Sequence, residues 1–122
     1  MNPRLVKDLN WVSLKKVFLN KINLLFLKMD SIENSAEIKA FINDYRQLFW
    51  YTPEAEKERI SHELLVETIL NYGDMEAVKR LFEVMGINEA AKVFFAATGR
   101  KKLNYFPEIH HFFTLVFKRY AQ

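Results

Sequence analysis

The three histidines are the first residues that could bind a metal ion or transfer a proton. His110 and His111 are adjacent in a predicted helix, so their side chains diverge by about 100° and cannot grip one ion together. His62 precedes Glu63, and the sequence has no His-x-x-x-His or His-x-x-Glu pair on one helix face. We interpret the histidines as surface or boundary residues and predict no metal site.

Carboxylates and hydroxyls offer little support for catalysis. The carboxylates of Glu54, Glu56, Glu58, Glu63 and Glu67 have Lys57 and Arg59 among them. Such a mixture at ion-pair spacing is typical of a solvated helix face. The chain has no cysteine, no glycine-rich phosphate loop and no Gly-x-Ser-x-Gly motif. We therefore expect no catalytic residue and no cofactor, and an enzyme with an unrecognised site remains only a third interpretation.

DNA binding is the alternative function that the sequence suggests. Two predicted helices, 74–85 and 89–98, meet at a turn containing Gly86, which resembles a helix-turn-helix in length. The second helix offers base edges little besides Lys92, so a structural hairpin is the preferred interpretation.

A basic loop follows that hairpin. Arg100, Lys101 and Lys102 are the residues that could contact phosphates. A solvated turn is the competing interpretation of the same three residues, because short basic loops are common on protein surfaces.

Aromatic residues are unusually frequent, with eleven Phe, five Tyr and two Trp among 122 residues. The runs Phe49-Trp50-Tyr51 and Phe94-Phe95 cannot point wholly inward on a helix. Exposed clusters of this kind mark partner surfaces, while core and loop packing is the competing interpretation. We predict a non-enzymatic protein-interaction module that uses Phe49, Trp50, Tyr51 and Phe95. Its partner would be another protein or a second copy of the chain in a homodimer.

Charge and hydropathy divide the chain into residues 1–28 and a helical domain over 29–122. Residues 1–28 carry six Lys or Arg and one Asp, a net charge of +5, whereas the whole chain carries +3, so the remainder sums to −2. Residues 11–29 have an amphipathic pattern with three interpretations: a packed first helix, a basic helix for an acidic partner or membrane surface, or an extension upstream of a start at Met29. No segment predicts a signal peptide or a membrane span, and we expect a cytoplasmic protein.

Residues that commonly end or begin helices divide residues 29–122 into helical segments. Helices are predicted over about 36–49, over 53–72 with a break near Ser61, over 74–85, over 89–98, and over about 105–120. Ser35, Thr52, Asp74 and Asn88 are the predicted N-caps, and Ser61 is a further candidate at the break. Gly73 is expected to end its helix with a positive φ angle. The last helix is apolar nearly all round, so we expect it at the centre of the core. The sequence predicts an all-α bundle of five or six helices.

Residues 48–117 resemble a family of small uncharacterised bacterial helical proteins, a domain of unknown function. The matching features are Leu48-Phe49-Trp50, Pro53, Leu70-Asn71-Tyr72-Gly73-Asp74, Gly86, Arg100-Lys101-Lys102-Leu103 and Phe112-Phe113. Tyr51 and Phe113 depart from the pattern, which has an acidic residue and a second tryptophan there. Relatives are sometimes encoded beside nucleotidyltransferase-like toxins. The resemblance therefore implies a helical domain without known catalysis and an antitoxin or accessory role.

Overall fold

The computed structural model describes residues 33–122, and in this range the chain forms helices and no strand. The five α-helices are α1 Ala36–Asp44, α2 His62–Tyr72, α3 Met75–Met85, α4 Ile87–Ala96 and α5 Pro107–Tyr120. Three short 3-10 helices lie in the connections: Arg46–Phe49, Glu54–Arg59 and Gly99–Asn104. The predicted all-α fold is confirmed. The predicted helix over 11–29, the boundary at residue 28 and the start at Met29 lie outside the described residues.

Local capping chemistry begins three of the five α-helices. The side chains of Ser35, Ser61 and Asp74 each accept a hydrogen bond from the backbone N–H three residues later, at 3.2, 3.1 and 2.8 Å. These bonds satisfy amides that have no partner inside their own helix. The predicted caps at Ser35 and Asp74 and the predicted break at Ser61 are confirmed.

The predicted N-caps at Thr52 and Asn88 are wrong. The 3-10 helix Glu54–Arg59 follows Pro53 and has no side-chain cap. α4 begins at Ile87, directly after Gly86, which adopts a φ of 87° and has no side chain to act as a cap. The Asn88 carboxamide oxygen instead accepts a hydrogen bond from the backbone N–H of Gln122 at 2.8 Å. Asn88 therefore connects the first turn of α4 to the residue after α5.

The predicted positive φ at Gly73 is also wrong, although this residue does end α2. Gly73 has φ −75° and ψ 158°, an extended conformation that any residue can adopt. A Cβ at this position would lie 2.6 Å from the carbonyl oxygen of Ile69 and 3.0 Å from Cβ of Ala77. The lack of space between the last turn of α2 and the first turn of α3, rather than backbone handedness, requires glycine here.

The connection between α1 and α2 contains two 3-10 helices where the sequence predicts α-helix. α1 ends at Asp44, five residues before the expected end, and the chain continues as the 3-10 helix Arg46–Phe49. The predicted helix that starts at Pro53 is a second 3-10 helix, Glu54–Arg59, which stops at Ile60. Ile60 is extended and buried, so its side chain joins the core immediately before Ser61 restarts the helix.

The core of residues 34–122, which form one compact unit, is centred on α2 rather than on α5. α2 contacts α3, α4 and α5 and buries Leu65, Val66, Ile69 and Leu70. α5 buries only Phe113 and Phe117, so the expectation of a central last helix is wrong. Its remaining apolar side chains lie at the margin of the core or in solvent. Within residues 33–122, no helix is both long and apolar enough to cross a membrane.

Candidate interaction surface

Trp50 and Tyr51 form the most exposed aromatic pair that the sequence predicted as a binding site. They lie in the turn between the 3-10 helices Arg46–Phe49 and Glu54–Arg59. Their side chains are 66% and 83% exposed, and their rings stack with centroids 3.5 Å apart and an interplanar angle of 30°. The two rings therefore form a continuous aromatic surface that is exposed to solvent. Burial of this apolar surface would lower the free energy of the protein.

Phe49 has the opposite environment, because it is only 3% exposed and belongs to the core. Phe49 is therefore not part of the exposed partner surface that the sequence predicts. Its buried ring instead anchors the turn in the core. The backbone N–H of Thr52 donates to the carbonyl oxygen of Phe49 at 3.0 Å, which closes the turn around Trp50 and Tyr51. A buried ring on one side of two exposed rings holds this turn against the bundle.

Charged side chains brace the same turn from both ends. The Glu54 carboxylate is paired with the Arg46 guanidinium and accepts a hydrogen bond from Lys57 Nζ at 2.6 Å. Lys57 is buried, an uncommon situation for lysine that requires a partner of opposite charge. Asn43 Nδ2 donates to Glu58 Oε1 at 2.8 Å. These contacts join α1 and both 3-10 helices, so the aromatic pair lies on a constrained segment.

Phe95, the fourth predicted partner-binding residue, lies on a different part of the surface. It is exposed on α4, and its ring packs edge-on against Phe94 at 5.1 Å and Phe117 at 6.1 Å. An open cavity of about 510 Å³ adjoins it, lined also by Lys92 and Gln122. Within residues 33–122, no aromatic ring contact joins Phe95 to Trp50 or Tyr51. In the described range, the two aromatic runs that the sequence predicts are therefore not joined by ring contacts.

The basic residues of the DNA-binding alternative are exposed on the 3-10 helix Gly99–Asn104. Lys101 Nζ lies 3.3 Å from Glu63 Oε2, so part of this positive charge is already paired within the chain. Glu67 lies nearby and accepts from Asn104 Nδ2 at 3.4 Å. Burial raises the pKa of Glu67, against the opposing effect of that hydrogen bond. Two carboxyl groups therefore reduce the attraction of this segment for phosphate.

The exposed face of α4 has little that could read a base edge. Ala90, Ala91 and Phe94 turn inward, and Lys92 is the only basic side chain on the helix. Glu89 would lie against phosphate in any arrangement that places α4 in a groove. The hairpin around Gly86 therefore serves to pack apolar side chains into the bundle.

His110 and His111 line an open cavity of about 460 Å³ with Lys102, Tyr105 and Thr114. The His110 ring stacks on Phe94 at 4.7 Å, and Thr114 Oγ1 donates to the His110 carbonyl oxygen at 2.7 Å. Burial, together with the nearby Lys102 charge, lowers the pKa of His110. Burial also raises the pKa of the Tyr105 hydroxyl. An imidazole stacked on Phe94 in this way has a packing role.

Metal ligation has no support in the described range, where no three His, Asp or Glu side chains are grouped to hold an ion.

The sequence pattern assigned the apolar residues of α5 to the core and therefore missed an exposed apolar surface on this helix. Phe112 and Leu115 are in fact exposed.

Comparisons of the chain with protein-family models, with curated proteins and with solved structures found no match.

Proposed function

We propose that this chain is a non-enzymatic protein-interaction module that binds a protein partner through Trp50 and Tyr51. The observation that carries the proposal is the pairing of high exposure with local rigidity at these two residues. Trp50 and Tyr51 stack on each other in a turn that Phe49 anchors in the core. Tryptophan and tyrosine are among the residues most often responsible for binding energy at protein interfaces.

Rigidity favours binding because less conformational freedom is lost when the complex forms. The closed turn and the ion pairs of Glu54 restrict the backbone on both sides of the aromatic pair. Arg46 and Glu54 lie at the edge of the same turn, with their side chains 48% and 65% exposed. The proposed site therefore has an aromatic centre and a charged rim, the common arrangement of a protein interface.

The resemblance of residues 48–117 to a toxin-associated family extends this proposal to a class of partner. On that basis the partner is a toxin, and the chain acts in the cytoplasm as an antitoxin or accessory protein. A DNA-binding regulator is the weaker proposal, since Lys101 is paired with Glu63 and α4 carries a single basic residue.

The test is affinity capture of partners from the native host with the tagged full-length chain, analysed by mass spectrometry. The double substitution Trp50→Ala/Tyr51→Ala should remove a partner that the unaltered chain captures. Leu103→Ala is the matched control, because Leu103 is 81% exposed but lies on the 3-10 helix Gly99–Asn104. This control should retain the partner.

Two results would contradict the proposal. One is a partner captured equally well by the double variant, and the other is the absence of any specific partner for the unaltered chain. The DNA-binding proposal is checked separately by titrating DNA against the chain at increasing salt. Phosphate contacts require the affinity to fall steeply as salt rises.

A further inference from the structure

The outward face of α5 carries an apolar and charged stripe that the bundle leaves uncovered. Glu108, Phe112, Leu115 and Arg119 are all exposed, and they recur at intervals of four, three and four residues. This spacing places them along one side of a helix, nearly opposite the buried Phe113 and Phe117. Phe112 and Leu115 remain 48% and 56% exposed at the centre of the stripe.

The order of residues in the stripe is symmetric about the middle of the helix. Phe112 and Leu115 are equidistant from a point between Phe113 and Thr114, and Glu108 and Arg119 are equidistant from the same point. If two copies of α5 lie antiparallel about that point, Phe112 of each meets Leu115 of the other. Glu108 of each then meets Arg119 of the other. A two-fold interface requires this kind of self-complementarity.

The charges at the two ends are available for such a contact. Within residues 33–122, neither the Glu108 carboxylate nor the Arg119 guanidinium takes part in an ion pair. The Arg119 guanidinium lies over the ring of Tyr120, 5.7 Å from its centroid. Glu108 and Arg119 are separated by about 16 Å along the helix axis, which leaves room for both apolar residues between them. Intervals of four and three residues are also those at which paired helices interlock.

We propose that this face of α5 is a self-association surface, occupied by α5 of a second copy of the chain in antiparallel orientation. The proposal is independent of Trp50 and Tyr51. The apolar area of two side chains from each copy is small compared with the approximately 800 Å² that each partner buries in a standard interface. The contact is therefore small, and we expect a weak, concentration-dependent dimer.

Sedimentation equilibrium of the full-length chain, over a wide range of protein concentrations, measures the association directly. The unaltered chain should show a monomer–dimer equilibrium. Leu115→Asp should be monomeric throughout, because it places a carboxylate in the apolar centre of the contact. Leu103→Asp, an exposed leucine outside α5, should dimerise as the unaltered chain does.

Charge reversal tests the antiparallel register without relying on the apolar residues. Glu108→Arg and Arg119→Glu should each weaken dimerisation about tenfold, because like charges then face each other twice in the symmetric pair. The double variant Glu108→Arg/Arg119→Glu should recover most of the lost affinity, since each arginine again meets a glutamate. Circular dichroism verifies that every variant remains helical.

Several outcomes would overturn the proposal. These are a monomer at every concentration, a dimer that persists in Leu115→Asp, or a double charge variant as weak as the single ones.

Discussion

Gly73 joins α2 and α3 with almost no intervening chain, and its role depends on space. Its backbone N–H donates to the Ile69 carbonyl oxygen at 2.8 Å, which continues the α2 hydrogen-bond pattern through the helix end. Asp74 then accepts from the Ala77 N–H and starts α3. The two helices therefore meet at a residue that has no room for a side chain.

Substitution of Gly73 by alanine should be strongly destabilising. The added Cβ would lie 2.6 Å from a backbone oxygen, and the backbone must shift to relieve the contact. We expect the free energy of unfolding to fall by roughly 1–3 kcal/mol, measured by urea denaturation. Gly99→Asn is the control, because Gly99 has a φ of 59° and open space around it. Asparagine tolerates such backbone angles better than most residues that carry a side chain, so its effect should be smaller than that of Gly73→Ala, at about 1 kcal/mol or less.

Equal stability of Gly73→Ala and the unaltered chain would show that the space around Gly73 is not as restricted as described. If only Gly99→Asn lost stability, the positive φ angle at Gly99 would contribute more to stability than the close contacts at Gly73.

Asn71 connects two elements that are distant in sequence. Its carboxamide donates to the Asn104 carbonyl oxygen at 2.9 Å and accepts from the backbone N–H of Phe106 at 3.1 Å. Both bonds join the last turn of α2 to the segment immediately before α5. The rings of Tyr72 and Phe106 reinforce this contact in an edge-to-face arrangement at 5.4 Å. One side chain therefore positions the start of α5 on the central helix.

Asn71→Ala should loosen the start of α5, because both bonds are lost. We expect a loss of about 1–2 kcal/mol in the free energy of unfolding and faster hydrogen exchange at the Phe106 amide. Asn71→Asp keeps the acceptor but lacks the donor, so its Phe106 amide should exchange at an intermediate rate. If Phe106 exchanges equally slowly in all three proteins, the hydrogen bond from Asn71 does not hold this segment.

Three N-caps could be predicted from the sequence because each depends on a few adjacent residues. Ser35, Ser61 and Asp74 satisfy amides within their own first turn, whatever the rest of the chain does. The 3-10 helices Arg46–Phe49 and Glu54–Arg59 could not be predicted in this way. Their residues also suit an α-helix, and the choice depends on how Phe49 and Ile60 reach the core.

The candidate surface was only partly predictable for a similar reason. A run of three aromatic residues indicates that some are exposed, but the turn geometry decides that Phe49 is buried while Trp50 and Tyr51 are not. On α5, apolar residues on every side left the inward face undetermined. Packing against α2 and α4 determines that Phe113 and Phe117 are buried. Phe112 and Leu115 remain exposed to solvent.

The stability of the whole molecule should depend on pH through His110. The ring of His110 stacks on Phe94, with Tyr105, Thr114 and Lys102 around it. Burial and then the Lys102 charge lower its pKa in the folded protein, so the unfolded chain binds the proton at higher pH. Stability therefore rises with pH between the lowered pKa and the ordinary value of about 6.5, and is lost on acidification through that window.

Urea denaturation between about pH 5 and pH 7 measures this contribution as a difference between proteins. The free energy of unfolding should rise more steeply with pH in the unaltered chain than in His110→Gln, which cannot titrate. Lys102→Met removes the smaller cause and should give an intermediate slope. Glu67, whose pKa is raised, has the opposite pH dependence but is common to all three proteins, so its effect cancels in the comparison. Identical slopes in the unaltered chain and His110→Gln would show that folding does not lower the pKa of the His110 imidazole.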